Sequence, residues 1–120
     1  KFPKLNVAFL ECGVGWLPYW VERLDEEYEK RAPEAPLLKG KPSEYLKNGH
    51  WFCSTEPDER ELPHVIDSFG ADMILFASDY PHWDGLFPKA VSTLRERTDI
   101  AEKSKQKILS ENAKRFYGWS

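Results

Sequence analysis

Residues 73–85 read Met73-Ile74-Leu75-Phe76-Ala77-Ser78-Asp79-Tyr80-Pro81-His82-Trp83-Asp84-Gly85. The apolar residues at the start of this stretch predict a short strand buried on both faces, because an apolar run without alternation is typical of a parallel sheet covered by helices. Polar and aromatic groups follow at once. In α/β proteins, ligands and catalytic groups gather at the carboxyl ends of the strands, so Asp79 lies where a functional residue is expected.

Two further segments show the same order of a strand followed by a helix. Residues 5–10 predict a strand that ends at a glycine-containing turn, and residues 50–54 predict another. The connection 32–49 is rich in proline and predicts a surface loop with one helical turn at 43–46, or a loop that covers a site. Helices are predicted over 17–31, from residue 55 or from near residue 61 to residue 70, over 88–98 and over 100–117. The βαβαβα order predicts an α/β fold with parallel strands.

The apolar positions of these helices predict which residues face the sheet. In the first helix they include Trp20 and Leu24, and in the helix over 88–98 they are Val91 and Leu94. The lysines of the last helix are expected on its exposed side.

Composition and charge limit the possible partners. The 120 residues, 41% of them hydrophobic, are enough for one core. The net charge is -3 and the basic residues are scattered among acidic ones, which predicts no nucleic-acid partner. No apolar stretch approaches the roughly 20 residues that cross a bilayer, and no signal-like segment is recognised, so we expect no membrane partner and a cytoplasmic location. Cys12 and Cys53 are expected to be reduced and to serve packing.

The sheet predicted from these segments is incomplete. Three parallel strands leave two open edges, which a stable protein covers or pairs. The chain also begins with Lys1, and its only methionine is Met73. We therefore expect the chain to be part of a longer protein.

Three motifs resemble the C-terminal part of amidohydrolase-2 proteins. They are Phe76-Ala77-Ser78-Asp79-Tyr80-Pro81-His82, Gly13-Val14-Gly15-Trp16-Leu17-Pro18 with Arg23-Leu24-Asp25, and Asn112-Ala113-Lys114-Arg115-Phe116-Tyr117. Members of this family are metal-dependent TIM-barrel hydrolases and decarboxylases. The resemblance covers essentially the whole chain. It implies that residues 1–120 form the C-terminal part of a single TIM-barrel domain and supply the last three β/α units of a partial (β/α)8 barrel.

The resemblance also implies a metal site. The family's His-x-His pair after the first barrel strand and its histidine after the fifth lie outside these residues, so Asp79 is the metal-site residue that carries over. The resemblance implies that Asp79 binds a divalent metal, expected to be zinc, and accepts a proton from a water molecule that the metal activates. From its position alone, Asp79 can equally be a turn or capping aspartate.

His82 and Asp84 follow in the same loop. They are candidates to orient a ligand, bind substrate or support the metal, and the alternative is that they pair with each other to hold the loop. Direct ligation by His82 is disfavoured, because ligands three residues apart suit a helix and Pro81 makes a turn here. Trp83 is expected to pack over the loop.

Glu11 ends the first predicted strand, where the resemblance implies a histidine in many relatives, notably the decarboxylases. It is a candidate catalytic acid or base, and the alternative is that it bonds to the backbone at the glycine turn. His64 within the second helix and His50 before its strand are predicted to be structural.

These residues lead to three functional hypotheses. The first is the C-terminal portion of a metal-dependent hydrolase that acts on a C–N, C–O or C–C bond of a small carboxylated or cyclic substrate. The second is a decarboxylase of an aromatic acid, which Glu11 argues against. The third is a catalytically inactive chain that self-associates and buries its open sheet edges. The predicted partners are a small-molecule substrate and either further copies of the chain or the remainder of a barrel.

Overall fold

The computed structural model describes residues 2–119. The strands are β1 (Val7–Phe9), β2 (Trp51–Thr55) and β3 (Ile74–Phe76). The α-helices are α1 (Leu17–Arg31), α2 (Pro42–Leu46), α3 (Leu62–Phe69), α4 (Ala90–Glu96), α5 (Glu102–Gln106) and α6 (Asn112–Tyr117). A 3₁₀ turn, Ala32–Glu34, follows α1, and a π-helical segment, Lys107–Glu111, joins α5 to α6.

The strands form one parallel sheet in the order β1-β2-β3. Phe9 pairs with Cys53, and Cys53 pairs with Ile74, so these positions share one face of the sheet. The prediction of an α/β fold with three parallel strands is therefore confirmed. The first strand is shorter than the predicted 5–10, because its ladder with β2 extends only over Val7–Phe9.

The main core lies on the face of the sheet that the helices cover. Its buried members are Val14, Leu17, Cys53, Leu62, Val65, Ala71, Met73, Ile74, Leu94, Ile100 and Ile108. Phe52 points to the opposite face, because side chains alternate along a strand. Phe52 is fully buried, and its ring lies 5.2 Å from the ring of Phe116. The last helix therefore packs at the amino ends of the strands, where Asn6 Nδ2 also donates to the carbonyl oxygen of Phe116 at 2.9 Å.

Helix α1 has the predicted bounds, but part of its apolar face is uncovered. Leu17 is 1% exposed, whereas Trp20 and Leu24 are 48% and 45% exposed. They line an apolar groove of about 430 Å³ whose walls also include Phe9 and Trp51. The prediction that Trp20 and Leu24 are buried is thus wrong, because α2, which packs against α1 and lines the same groove, leaves the groove open to solvent.

Helix α4 also differs from its prediction. It begins at Ala90, and the residues it buries are Ala90 and Leu94, which stand four positions apart on one face. Val91 lies off this face and is 40% exposed, so its predicted burial is wrong.

Helix α3 begins at Leu62, which confirms the later of the two predicted starts. Pro63 falls in the first turn, where its missing N–H costs no hydrogen bond. Gly70 ends the helix with φ 82° and ψ 168°, a backbone region outside the left-handed helical one. Its N–H still donates to the carbonyl oxygen of Ile66 at 2.8 Å, so the helix end is capped by the main chain.

Two polar side chains of the last helical region are buried. Asn112, directly after the π-helical segment, donates from Nδ2 to the carbonyl oxygens of Ala71 and Ile74, each at 2.7 Å. Lys105 is 6% exposed, and its Nζ donates to the carbonyl oxygen of Arg95 at 2.7 Å. Lys105 is therefore an exception to the expected exposed side of this helix, and its ammonium group binds a carbonyl oxygen in the last turn of α4.

No helix within residues 2–119 is both long enough and apolar enough to span a bilayer.

Candidate metal centre

The loop after β3 is folded by successive turns. The N–H of His82 donates to the carbonyl oxygen of Asp79 at 2.8 Å, and the N–H of Gly85 donates to that of His82 at 3.2 Å. A Cβ at residue 85 would lie 3.1 Å from the carbonyl oxygen of Ser78, so glycine lets the loop fold back closely on itself. The turns bring residues 79, 82 and 84 together.

Asp79, His82 and Asp84 form a compact group of possible ligands. Each offers one ligand atom, and these atoms lie within 4.8 Å of one another. Asp79 Oδ2 is 3.4 Å from His82 Nδ1. The turn that was expected to separate these two residues therefore places them side by side. Two carboxylates and one imidazole are a donor set that suits zinc and other divalent first-row metals. The group fits a divalent metal, and ligation by Asp79 stays a prediction. Ligation by His82, which the sequence disfavours, is compatible with this geometry.

The surroundings of the group are negatively charged. A cleft of about 40 Å³ separates the loop after β3 from the loop after β2, and its lining includes Asp79, Asp84 and Glu56. The pKa of Glu56 is raised above its ordinary value by burial and by the nearby charges of Asp58, Asp79, Glu59 and Asp84. The part of this shift that comes from the neighbouring carboxylates favours a cation at the same place.

Glu11 and Asp79 share an unusual backbone conformation. Among residues 2–119 they are the two non-glycine residues with positive φ, 59° for Glu11 and 54° for Asp79. This conformation costs about 1–2 kcal/mol for most L-residues, and such strain is concentrated at functional sites. Both residues follow carboxyl ends of parallel strands, so they lie on one rim of the sheet as expected.

The bond to the glycine turn that was considered for Glu11 is made by another residue. Glu59 Oε1 accepts from the N–H groups of Val14 at 2.7 Å and Gly15 at 2.8 Å. The side chain of Glu11 is exposed. The main-chain N–H of Glu11 donates to Ser54 Oγ at 3.1 Å. Glu59 carries no functional signal in the sequence, because it lies in an acidic run that is typical of a first helical turn. Only the parallel alignment of β1 and β2 could have indicated that it reaches the other loop.

The remaining candidates lie away from the group. His64 is exposed on α3, and His50 Nδ1 lies 2.8 Å from Asn6 Oδ1 at the amino end of β2. Trp83 is 94% exposed, so the expectation that it packs over the loop is wrong. The aromatic contact within this loop is made instead by the rings of Tyr80 and Phe87, whose centres are 4.5 Å apart.

The two cysteines are free and differ in environment. Cys12 is exposed and Cys53 is buried. Burial, with smaller effects from Cys12 and Glu59, raises the pKa of Cys53 to about 12. At pH 8 the Cys53 thiolate is therefore only about 10⁻⁴ of the total, since each pH unit below the pKa lowers it tenfold.

We expect iodoacetamide at pH 8 to alkylate the folded protein once, at Cys12, with mass spectrometry as the measurement. Cys12→Ser should abolish the fast reaction, and 6 M urea should expose Cys53. Alkylation of Cys53 in the folded chain at a rate similar to Cys12 would contradict its burial.

The sequence of the chain is similar to those of known proteins. The model of the amidohydrolase family, amidohydrolase-2, matches residues 1–119. The chain belongs to the amidohydrolase-2 family. A curated relative is the gamma-resorcylate decarboxylase of Rhizobium sp. (strain MTP-10005), which is 31% identical over 119 residues, a match of 98% of this chain and 35% of the relative.

Solved structures of the same family agree with this amidohydrolase-2 fold. The 5-carboxyvanillate decarboxylase of Sphingomonas paucimobilis is 28% identical, with a TM-score of 0.79 over 99% of this chain and 35% of that protein. An amidohydrolase of Mycobacterium avium subsp. paratuberculosis K-10 has the same identity and TM-score over 98% of this chain and 29% of that protein. The chain thus spans about a third of the length of these relatives. The predicted TIM-barrel β/α units are confirmed.

Proposed function

We propose that this amidohydrolase-2 chain is the C-terminal part of a single TIM-barrel domain, and that the domain is a metal-dependent decarboxylase of a small aromatic acid. The observation that carries the proposal is the group of Asp79, His82 and Asp84 at the carboxyl end of β3. Its support from the family is that named relatives are decarboxylases of gamma-resorcylate and 5-carboxyvanillate. The alternative reading from the sequence, a decarboxylase, is therefore better supported than the leading one, a hydrolase.

The roles follow from the position of each residue. Asp79 would hold the metal from the strand tip, and His82 and Asp84 would bind it as well or orient its ligands. A divalent metal, proposed to be zinc, would supply Lewis acidity toward an oxygen of the substrate. The backbone turns of the loop keep the Asp79 carboxylate in place before substrate arrives, so that no reorganisation is needed during the reaction.

Glu11 is proposed as the proton donor. Decarboxylation breaks the bond between the ring carbon and the carboxylate carbon, CO₂ leaves, and the ring carbon takes a proton. Glu11 is on the same rim as Asp79 and its side chain is exposed, so its carboxyl oxygen can deliver that proton and regain one from solvent.

A hydrolase is the second candidate, and one residue favours it. A carboxylate stands at position 11, where the family resemblance implies a histidine in many decarboxylases. A carboxylate base can accept a proton from an attacking water molecule, which is the step that hydrolysis needs.

The two reactions are separated by their products. Since the relatives are about three times as long as this chain, the assay uses the polypeptide with all barrel strands, loaded with Zn²⁺ or Mn²⁺. We expect CO₂ release from gamma-resorcylate or 5-carboxyvanillate, and a decrease of about 10²-fold or more in kcat for Glu11→Gln. Glu22→Gln, on the exposed side of α1, should leave kcat unchanged. Hydrolysis of lactone or amide substrates without CO₂ release from either acid would overturn the proposal in favour of the hydrolase.

A further inference from the structure

A glutamate in the loop after β2 binds the main chain of the loop after β1. Glu59 Oε1 accepts hydrogen bonds from the N–H groups of Val14 (2.7 Å) and Gly15 (2.8 Å). Glu59 Oε2 accepts from Thr55 Oγ1 at 2.8 Å. Thr55 is the last residue of β2 and is 1% exposed, so the carboxylate is bound to a buried part of the sheet. One side chain therefore joins the end of the central strand to a neighbouring loop.

Gly13 makes room for this carboxylate. A Cβ at residue 13 would lie 2.8 Å from Glu59 Oε1, closer than carbon and oxygen approach without displacement. The φ of Gly13 is +61°, which L-residues rarely adopt. Space and backbone conformation thus both favour glycine opposite Glu59.

The backbone of Glu59 is held from the other side by Arg97. Arg97 Nη1 donates to the carbonyl oxygens of Glu59 at 2.7 Å and Pro57 at 3.2 Å. Its Nε and Nη2 donate to the two carboxylate oxygens of Asp99 at 3.0 and 2.7 Å. The hydrogen bond to Asp99 raises the pKa of Arg97, so the guanidinium stays charged. The turn after α4, the loop after β2 and the loop after β1 are connected in one series of hydrogen bonds.

We infer that Glu59 is a positioning residue that fixes the loop bearing Glu11 against the central strand. The loop is anchored at two points, because Ser54 Oγ accepts from the N–H of Glu11 and Glu59 accepts from two N–H groups three and four residues later. The positive φ of Glu11 lies next to the first anchor, so the anchors hold the strained conformation in place. The importance of this position for catalysis rests on the proposed function, whereas the fixing of the loop does not.

Two conservative variants of Glu59 distinguish the effect of side-chain length from the effect of charge. Glu59→Gln keeps the length of the side chain: its amide oxygen can accept from Val14 and Gly15, and its NH₂ group can donate to Thr55 Oγ1. Glu59→Asp keeps the charge, but its side chain is one methylene shorter. It therefore cannot accept hydrogen bonds from Thr55 Oγ1 and from the N–H groups of Val14 and Gly15 at the same time. Glu22→Asp, on the exposed side of α1, is the matched control.

The readout is amide hydrogen exchange followed by NMR. Val14 and Gly15 report the loop, and Cys53, whose N–H donates to the carbonyl oxygen of Met73 at 2.9 Å, reports the sheet. In Glu59→Asp we expect exchange at Val14 and Gly15 to accelerate about tenfold or more, with Cys53 within about twofold of the parent chain. Glu59→Gln should restore protection to within about threefold, and Glu22→Asp should change none of the three amides.

Three results would overturn the inference: unchanged protection of Val14 and Gly15 in Glu59→Asp, greater loss in Glu59→Gln than in Glu59→Asp, or an equal loss at Cys53, which would mean general destabilisation. The exchange measurement needs no substrate. Failure of the decarboxylation assay with the expected exchange pattern would therefore remove the proposed function and leave the role of Glu59 intact.

Discussion

Asn112→Ala is expected to lower the free energy of unfolding by about 3 kcal/mol, since it removes two buried hydrogen bonds and takes the side-chain donor from the carbonyl oxygen of Ile74. The carbonyl oxygen of Ala71 keeps one donor, the N–H of Ile74 at 3.2 Å. In the structure Asn112 is 1% exposed, and its Nδ2 is 2.7 Å from the carbonyl oxygens of both Ala71 and Ile74. These carbonyls bracket the start of β3, the strand that leads to Asp79. Urea denaturation followed by far-UV circular dichroism measures the change.

Two further variants define the cause of that loss. Glu111→Ala changes the neighbouring exposed residue and should alter the stability by no more than about 0.5 kcal/mol. Asn112→Asp has nearly the same shape but turns the donor into an acceptor, so it should destabilise the fold at least as much as alanine. A stability of Asn112→Asp equal to the parent chain would show that packing, and not donation, is what Asn112 contributes.

Asp79→Asn is expected to weaken the binding of Zn²⁺ or Mn²⁺ about 100-fold, or roughly 2.7 kcal/mol, because it removes the charge of the central proposed ligand. Asparagine tolerates the positive φ of residue 79 better than most residues, so the fold should be retained. Isothermal titration calorimetry gives the affinity, and circular dichroism confirms the fold.

The matched control for this experiment is Asp58→Asn. Asp58 is an exposed carboxylate in the neighbouring loop and lies outside the group of possible ligands. Its substitution should change the affinity less than about threefold, through the loss of one nearby charge. Equal effects of the Asp58 and Asp79 substitutions would mean that the metal is attracted by the general negative field and is not bound by Asp79.

The parts of the fold that were predictable from the sequence are those that depend on local pattern. The apolar run before Asp79 indicated β3, and the alternation of strands and helices indicated the parallel sheet. The bounds of α1 followed from its apolar periodicity and the prolines near its ends. The common rim of Glu11 and Asp79 followed from topology alone, because carboxyl ends of parallel strands lie together.

The missed features depend on contacts between distant residues. Trp20 and Leu24 have the spacing of buried residues, but the spacing does not show whether another element covers them. Glu59 resembles an ordinary residue of a first helical turn, and its 2.7 Å contact with the N–H of Val14 spans 45 positions. Asn112 carried no signal of burial, since asparagine is usually exposed. The local turns of residues 79–85 were also unpredictable in detail, although they decide that His82 faces Asp79.

The hydrogen bonds of Glu59 to the loop after β1 affect which residues this rim of the sheet can carry. The Glu59 carboxylate accepts hydrogen bonds from peptide N–H groups, which every residue except proline possesses. These bonds do not depend on the side chains of the residues that donate them. The residues at positions 11 and 12 can therefore be replaced by other acids, bases or nucleophiles without a change in the backbone of the loop. The conditions are that Gly13 and the length of the loop are preserved. The same backbone can then support different reactions, and positions 11 and 12 are suitable sites for introducing a new reactive side chain.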